Sequence, residues 1–343
     1  MSLVLHSLSD RLQRRRTVYV SSAMKAVFFR GRSLVLQRVE EEETVIPLAE
    51  LRRFVVLGRP SIDSAVLYGL LRADIPVDWL DRFGRPLGAL TSLRTDDGAV
   101  RLAQEKFCAS PAALQLARQV IAAKMDNVAG LMRRRGGLPT GWTTVRRRAD
   151  TAPTADNLRG AEGMAARLFF GLWGKWCGKF SWQGRKAYPA PDPVNMLLSL
   201  GYGLLHNRVL SSLRHYGLDP RQGFFHVGRG RHCALASDLM EDLRYAVDST
   251  VLRLVRGTKV RPEDFAMRGS RCVLVGREAF GLVLENFERM FCRQWACASA
   301  DREERGRISL NDRIDEASAA FCRHIRGEAA YQPFRRTAWG TAW

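Results

Sequence analysis

The sequence predicts an α+β protein: an N-terminal β-sandwich-like part over residues 1–100 and a larger all-α part over residues 101–343. Three observations lead there. Between Thr17 and Leu90, β-branched and apolar residues come in short runs broken by turn residues, which is how strands are spelled. From about Ala103 the apolar spacing changes from two residues to 3.6, the repeat of a helix with one buried face. The chain has 343 residues, 46% of them hydrophobic, enough for two cores.

In chain order, Thr17–Val20, Ala26–Phe29 and Ser33–Arg38 read as strands, with Arg30-Gly31-Arg32 as a hairpin turn. Glu40–Glu43 reads as a solvated acidic turn before the strand Thr44–Pro47. Phe54–Leu57 is a buried-type strand closed by Gly58. Ser61 to Leu71 has helical spacing, with Ser61 as the N-cap. Ile75–Leu80 returns to strand, followed by a turn at Gly84 and the strand Leu87–Leu90.

The helical part begins with Ala112–Met132, stopped by Gly136-Gly137. Arg133–Arg135 and Arg146–Arg148 bracket a Gly/Pro/Thr-containing connection, and suit either phosphate contacts or a solvated face. Leu158–Trp173 is amphipathic: Leu158, Ala161, Ala165, Phe169 and Leu172 share one face, and Glu162 falls within it while Arg167 lies opposite. A carboxylate on an inward stripe is costly unless paired or bound to a metal, and Gly160 and Gly163 beside it leave room for a close approach. Asp192-Pro193 starts a helix, acid at the cap and proline in the first turn. That helix is apolar almost all round, therefore central, and ends at Gly217-Leu218. Asp248–Arg256, Arg277–Ala296 and Ile308–Arg326 complete the helices, and YQPFRRTAWGTAW is loop-like.

Charge narrows the partner. Lys and Arg number 54 against 35 Asp and Glu, a formal +19 with a pI near 10.4. That imbalance points to a polyanion, most simply nucleic acid, with a plain solvated surface as the alternative. Seven scattered cysteines without a CxxC pair fit reduced thiols. The first residues carry their charges after a short apolar patch, the reverse of a signal peptide. No apolar run approaches the ~20 residues of a membrane span, so the expected setting is the cytoplasm.

The chemistry gathers at GFFHVGRGRHCALASDLMEDLR, residues 223–244. A loop carrying His226 runs into a helix on which Asp238 and Glu241, three residues apart, project from neighbouring positions. With Glu162 these groups make a set suited to Mn²⁺ or Mg²⁺. Beside so basic a surface, the natural substrate is a phosphodiester. Each residue also has a plainer role open to it: His226 as a hydrogen-bonded loop residue, Glu162 in an ion pair, Asp238 and Glu241 as helix acids with Arg244 nearby. A zinc reading would use His226, His232 and Cys233, whose spacing matches no standard site.

At these residues the sequence resembles the CRISPR-associated adaptation integrases, the Cas-one family. The most specific stretches are LRGAEGMAARLFF around Glu162, DPVNMLLSLGYGLL from Asp192, and GLDPRQGFFHVGRGRHCALASDLMEDLR from Gly217. Weaker agreement appears in the strand-rich part, in AKMDNVAGLMRR and at Tyr331-Gln332-Pro333-Phe334. The resemblance implies an N-terminal dimerisation domain, an all-helical catalytic domain and a homodimer. It implies a metal-dependent endonuclease and integrase that inserts short double-stranded DNA, a spacer precursor, into the repeat of a CRISPR array. By the resemblance, each 3′-hydroxyl attacks a repeat phosphodiester, and a small protein, Cas-two, is the expected partner. By the same resemblance the metal ligands fall on Glu162, His226 and Glu241, with Asp238 an acidic neighbour. The family commonly has Pro-Phe-Arg-Pro after the DLME tetrad, whereas Asp242-Leu243-Arg244-Tyr245 follows here. Without those prolines the helix is expected to continue, and the choice between Asp238 and Glu241 as direct ligand is less determined. A non-catalytic DNA-binding scaffold and a hydrolytic nuclease on branched DNA are the alternatives.

The charge balance carries an expectation of its own. DNA affinity should fall steeply, by about 10³-fold or more between 50 and 200 mM salt if six or more phosphates are neutralised. Fluorescence anisotropy across that range checks it, and a flat response contradicts it.

Overall fold

The computed structural model describes residues 16–336 except 22–23, 39–41, 82–85, 93–97, 229, 231, 258–259 and 297–306. The first strands are β1 (Arg16–Ser21), β2 (Met24–Arg30), β3 (Ser33–Arg38), β4 (Thr44–Pro47) and β5 (Leu51–Leu57). The helix α1 (Ser64–Arg72) and the strands β6 (Val77–Leu80) and β7 (Pro86–Leu90) follow. They form two sheets, an antiparallel β2-β3-β4 meander and a mixed sheet ordered β1-β5-β6-β7. In the mixed sheet β5 lies parallel to both β1 and β6, and α1 makes the crossover between β5 and β6.

Strand alternation explains why the mixed sheet reads as nearly continuous apolar sequence. Val18, Val20, Phe54 and Val56 pack into the sandwich core with Leu34, Leu36 and Ile46. Tyr19, Val55 and Leu80 point the other way and join the core of the helical part. This sheet is covered on both faces. The helical start of α1 differs from the sequence expectation. Asp63, not Ser61, is the cap, its carboxylate accepting the Ala65 N–H at 2.9 Å. The expected turn at Gly84 lies outside the described residues.

The helical part comprises α2 (Gly98–Cys108), α3 (Pro111–Arg133), α4 (Trp142–Asp150), α5 (Ala155–Gly171), α6 (Pro193–His215), α7 (Ala234–Met240), α8 (Arg244–Arg256), α9 (Arg277–Cys292) and α10 (Leu310–Ile325). The helix α6 is its axis. Asp192 caps it by accepting the Asn195 N–H at 2.8 Å, and Gly217, at φ +72°, ends it with Leu218 N–H bonded to the Leu213 carbonyl at 3.0 Å. Midway, a Cβ on Gly201 would stand 2.6 Å from both Phe287 and Val247, so only glycine lets α8 and α9 pack this closely on α6.

Several boundaries differ from the periodicity reading. The arginine-rich connection contains α4, and α8 starts at Arg244 rather than Asp248, after a 3₁₀ turn at Glu241–Leu243. Two short antiparallel ribbons interrupt the helices, β8 (Phe265–Arg268) with β9 (Arg271–Leu274), and β10 (Gln294–Ala296) with β11 (Arg307–Ser309). Apolar residues in them also fit a helical repeat, which hides strands this short. Among the described residues the cysteines form no disulfide. Among the described residues no helix is long and apolar enough to cross a membrane.

A buried polar cluster joins the mixed sheet to the helices. The Tyr19 hydroxyl donates to Glu288 Oε1 at 2.5 Å and accepts from Arg208 Nη2 at 3.0 Å, while Arg208 also pairs with Glu288. The same guanidinium stacks over Phe291, 3.6 Å from its centroid, and donates to Asn311 at 3.0 Å. Burial pushes the Tyr19 phenol well above its ordinary range, so it stays a donor. Arg208→Met should cost roughly 3–5 kcal/mol in urea denaturation, because Glu288 would remain buried without its cation. Adding Glu288→Leu should recover most of that loss. A single variant as stable as the parent chain would refute this account.

Candidate metal centre

The loop between α6 and α7 is shaped before its histidine is used. Gln104 of α2, fully buried, donates to the carbonyls of Asp219 (2.8 Å) and Gln222 (2.7 Å) and accepts the Asp219 N–H (2.9 Å). Beyond this clamp, Asp238 gathers the next residues. Its carboxylate accepts the N–H groups of Phe224 (2.7 Å), Phe225 (3.0 Å) and His226 (2.9 Å), and its Oδ1 stands 2.6 Å from His226 Nδ1. Gly223 makes room for this: a Cβ there would lie 2.5 Å from Asp238 Oδ2 and 2.9 Å from Ala234 Cβ. From the other side, Arg159 of α5 donates to the Phe225 carbonyl at 3.1 Å.

Held at Nδ1, His226 presents Nε2 to the acids. Ligand atoms of Glu162, His226 and Glu241 all lie within 4.8 Å of one another, and His226 Nε2 is 4.0 Å from Glu241 Oε1. Glu162 comes from α5, where the inward stripe put it, and Glu241 opens the 3₁₀ turn after α7. Asp238 is brought to the same place but faces the histidine and the loop. The zinc alternative is not assembled, for His232 lies 3.4 Å from Ser237 Oγ and neither His232 nor Cys233 joins the converging atoms.

Two cations complete the site: Arg244, which the sequence places beside Glu241, and Lys124, which sequence reasoning did not assign. Lys124 of α3 pairs with Glu162 and lies 2.6 Å from Glu241 Oε2. Arg244 donates to Glu241 Oε1 at 2.6 Å and sits over the Tyr202 ring, 4.5 Å from its centroid. Burial alone would raise Glu241, but Arg244, Lys124 and His226 hold it below the usual carboxylate range. Burial would likewise lower Lys124 and His226; Glu162 and Glu241 hold the lysine up, and Asp238 with Glu241 holds the histidine up. The signal for Lys124 was a lysine set among Val120, Ile121, Val128 and Leu131 on the buried face of α3. Gly160 and Gly163 face open space, with nothing within 4 Å of where a Cβ would stand. Of the bracketing arginines, Arg146 is structural, bonded to Asp126 (2.8 Å) and Asp150 (2.5 Å), whereas Arg147 and Arg148 are exposed.

Beside the site is a cavity of about 290 Å³ walled by Trp142, Phe169 and Phe170. At its polar end the Tyr202 hydroxyl donates to Asp248, which burial pushes up to about 6.

A strand sandwich followed by helices that gather two glutamates and a histidine at one point, with a carboxylate orienting the histidine, defines a protein organised round an acid–histidine–acid centre. The sequence profile of the family described as CRISPR associated protein Cas1 matches residues 18–289. The chain belongs to that family. It is 30% identical over 315 residues to a CRISPR-associated endonuclease Cas1 of Thermus thermophilus, covering 89% of each chain. It is 33% identical over 268 residues to a CRISPR-associated exonuclease Cas4/endonuclease Cas1 fusion of Rhodospirillum rubrum, a match that covers 73% of this chain and about half (46%) of the fusion. The fold is similar to that of a CAS1 protein from Thermotoga maritima (TM-score 0.76, 22% identity, 92% of this chain and 98% of that one). It is similar to a casposase bound to integration product (0.79, 17%, 95% and 94%) and to a chain of a Cas6-RT-Cas1–Cas2 complex (0.75, 21%, 94% and 36%).

The close fit at Gly223 makes a direct test. Gly223→Ala should destabilise the chain by about 1–3 kcal/mol, since the added methyl must displace Asp238 or the loop. It should also break the Nδ1 hydrogen bond, read as a shift of the His226 ring ¹⁵N resonances. An unchanged imidazole spectrum would contradict the role given to Gly223.

Proposed function

We propose that this chain is a divalent-metal-dependent DNA endonuclease and integrase of CRISPR adaptation, joining the 3′-hydroxyls of short duplexes to phosphodiesters of the CRISPR repeat. The observation that carries the reading is the convergence of Glu162, His226 and Glu241 around one point, with Asp238 fixing the imidazole. The donor set of two carboxylates and one imidazole suits Mg²⁺ or Mn²⁺. The buried Glu241 Oε2 is met by the Lys124 ammonium at 2.6 Å, so this corner of the site already accommodates a positive charge. The ion, held by Glu162, His226 and Glu241, would supply Lewis acidity at a phosphoryl oxygen.

The chain's own groups do the rest. Asp238 takes the Nδ1 proton in its hydrogen bond, which leaves the Nε2 lone pair free as a ligand. Arg244 and Lys124 place fixed positive charge where a phosphodiester gains negative charge during displacement. The Tyr202 ring under Arg244 and the Tyr202–Asp248 bond hold that guanidinium against the carboxylates. The division into an N-terminal dimerisation domain, residues 1–100, and a catalytic domain, residues 101–343, belongs to the same proposal. So do a homodimeric state and a complex with the small Cas-two protein; the likeness to a chain of a Cas1–Cas2 assembly supports the latter.

The test is strand transfer of a 3′-hydroxyl duplex into a supercoiled repeat plasmid with Mg²⁺ or Mn²⁺. Glu162→Ala, His226→Ala and Glu241→Ala should each lower joining by at least ~10²-fold while duplex binding in EDTA stays within about twofold. Asp238→Asn, which keeps shape but weakens the hold on His226, should weaken metal binding by roughly 10–100-fold. Joining that persists in these variants would overturn the assignment. Binding without any joining or cleavage would make the chain a scaffold instead.

A further inference from the structure

The 3₁₀ turn that carries Glu241 is held from its far side by the last described segment of the chain. Residues 331–336 have no regular structure, yet Tyr331 and Phe334 are buried. Backbone groups that would otherwise pair in a helix or sheet are taken by side chains. Asn127 of α3 donates to the carbonyls of Asp242 (2.8 Å) and Phe334 (2.9 Å), and its Oδ1 accepts the Arg336 N–H (2.9 Å). Asp242, next to Glu241, accepts the Phe334 N–H at 2.5 Å. Arg313 donates to the Gln332 carbonyl at 2.7 Å, and the Tyr331 N–H meets His324 Nδ1 at 3.2 Å. The Phe334 ring stacks on Tyr245 at 6.1 Å and 9° between planes, while Arg335 pairs with Asp126.

These bonds converge on one turn. Asn127 and Lys124 lie three residues apart on α3, neighbouring positions on the helix. Lys124 touches the Glu241 carboxylate, and Asn127 holds the carbonyl of the next residue. Asn127 and Asp242 are both almost fully buried, so losing the segment would leave Asn127 with only its bond to the Asp242 carbonyl and the Asp242 carboxylate without the Phe334 N–H, a cost that favours displacing the turn. The segment is fastened at the 3₁₀ turn where the α-helical hydrogen-bond pattern is interrupted between α7 and α8.

We infer that residues 331–336 form a positioning strap for Glu241, with Asn127 and Asp242 as its anchors, and that fastening the strap and filling the metal centre are energetically coupled. The inference rests on the reading of Glu241 as a metal ligand. It assigns no chemistry to the strap, which touches the turn and not the reacting atoms. Coupling of this kind is reciprocal: if the strap improves metal affinity, metal must tighten the strap by the same factor.

Two measurements on the full chain test it. Mn²⁺ titration followed by the EPR signal of the free ion should show Asn127→Ala and Phe334→Pro, which removes the N–H donated to Asp242, binding about tenfold or more weakly than the parent chain. Phe334→Leu keeps that N–H and should stay within about threefold. The second measurement needs no variant. In hydrogen exchange of the parent chain, saturating Mn²⁺ should slow the Phe334 and Arg336 amides together with those of Phe224–His226. Folded Asn127→Ala with parental Mn²⁺ affinity, or strap amides unmoved by Mn²⁺ while Phe224–His226 slow, would overturn the inference. If instead Glu241→Gln binds Mn²⁺ as the parent does, or Mn²⁺ slows neither set of amides, the ligand reading itself falls.

Discussion

Everything at the centre depends on one buried carboxylate. Asp238 is completely enclosed, and an ionised acid there is tolerable only because three backbone N–H groups and an imidazole surround it. Burial still raises its affinity for a proton, which measures how strongly that site resists a bare charge. The same four contacts fold Phe224–His226 into a tight loop and set which nitrogen of His226 faces Glu241. The acid therefore acts on the centre without belonging to the converging triad. Its position on α7, three residues before Glu241, lets the helix serve the loop while the 3₁₀ turn that follows brings the next acid to the centre.

The scaffold behind this arrangement is built from surfaces covered on two sides. The mixed sheet sends alternate side chains into the sandwich and into the helical core, and Tyr19 carries that second face to Arg208 and Glu288. Arg52 extends the junction to α10 through Asp312 (2.9 Å) and Asp315 (2.6 Å). On the helical side α6 is enclosed by its neighbours, and Gly201 allows α8 and α9 to close on it. Because α8 begins at Arg244, this packing also determines where the guanidinium beside Glu241 stands. Core packing and site geometry are one constraint here.

Much of this was legible in the sequence because it follows from periodicity. Glu162 stood out as a carboxylate on an inward stripe, and the loop histidine before DLME marked the other half. Asp192, Gly217 and the all-apolar α6 were readable from capping and turn chemistry. What stayed hidden depends on tertiary placement. Lys124 lies on an apolar helix face, where a lysine looks like an irregularity until two acids from distant segments arrive around it. Asp238 and Glu241 look equivalent on a helix and are separated only by which one the loop amides reach. The ribbon strands of three or four residues are too short to show a period of two. Asp63 displaced Ser61 as a cap because both residue types suit the role and the backbone is still extended at Asp63.

The balance of charge then bears on what the centre can receive. Glu162, Glu241 and Asp238 bring three negative charges, and Lys124 and Arg244 return two, with Asp248 and Arg185 offsetting each other nearby. Asp238 and Glu241 favour the protonated form of His226, which brings the set to balance; the neutral ring, with Nε2 free to ligate, leaves it short of one positive charge. A monovalent cation would satisfy it and leave no attraction for an anion. Under the proposed function, a divalent ion would turn that deficit into an excess of one positive charge, which a single phosphodiester would cancel. Lys124 gives the arrangement its stability before that happens, because its ammonium already spans the two glutamates that repel one another. Lys124 and Arg244 together hold Glu241 ionised in spite of its burial, so its carboxylate stays a charged acceptor facing the imidazole.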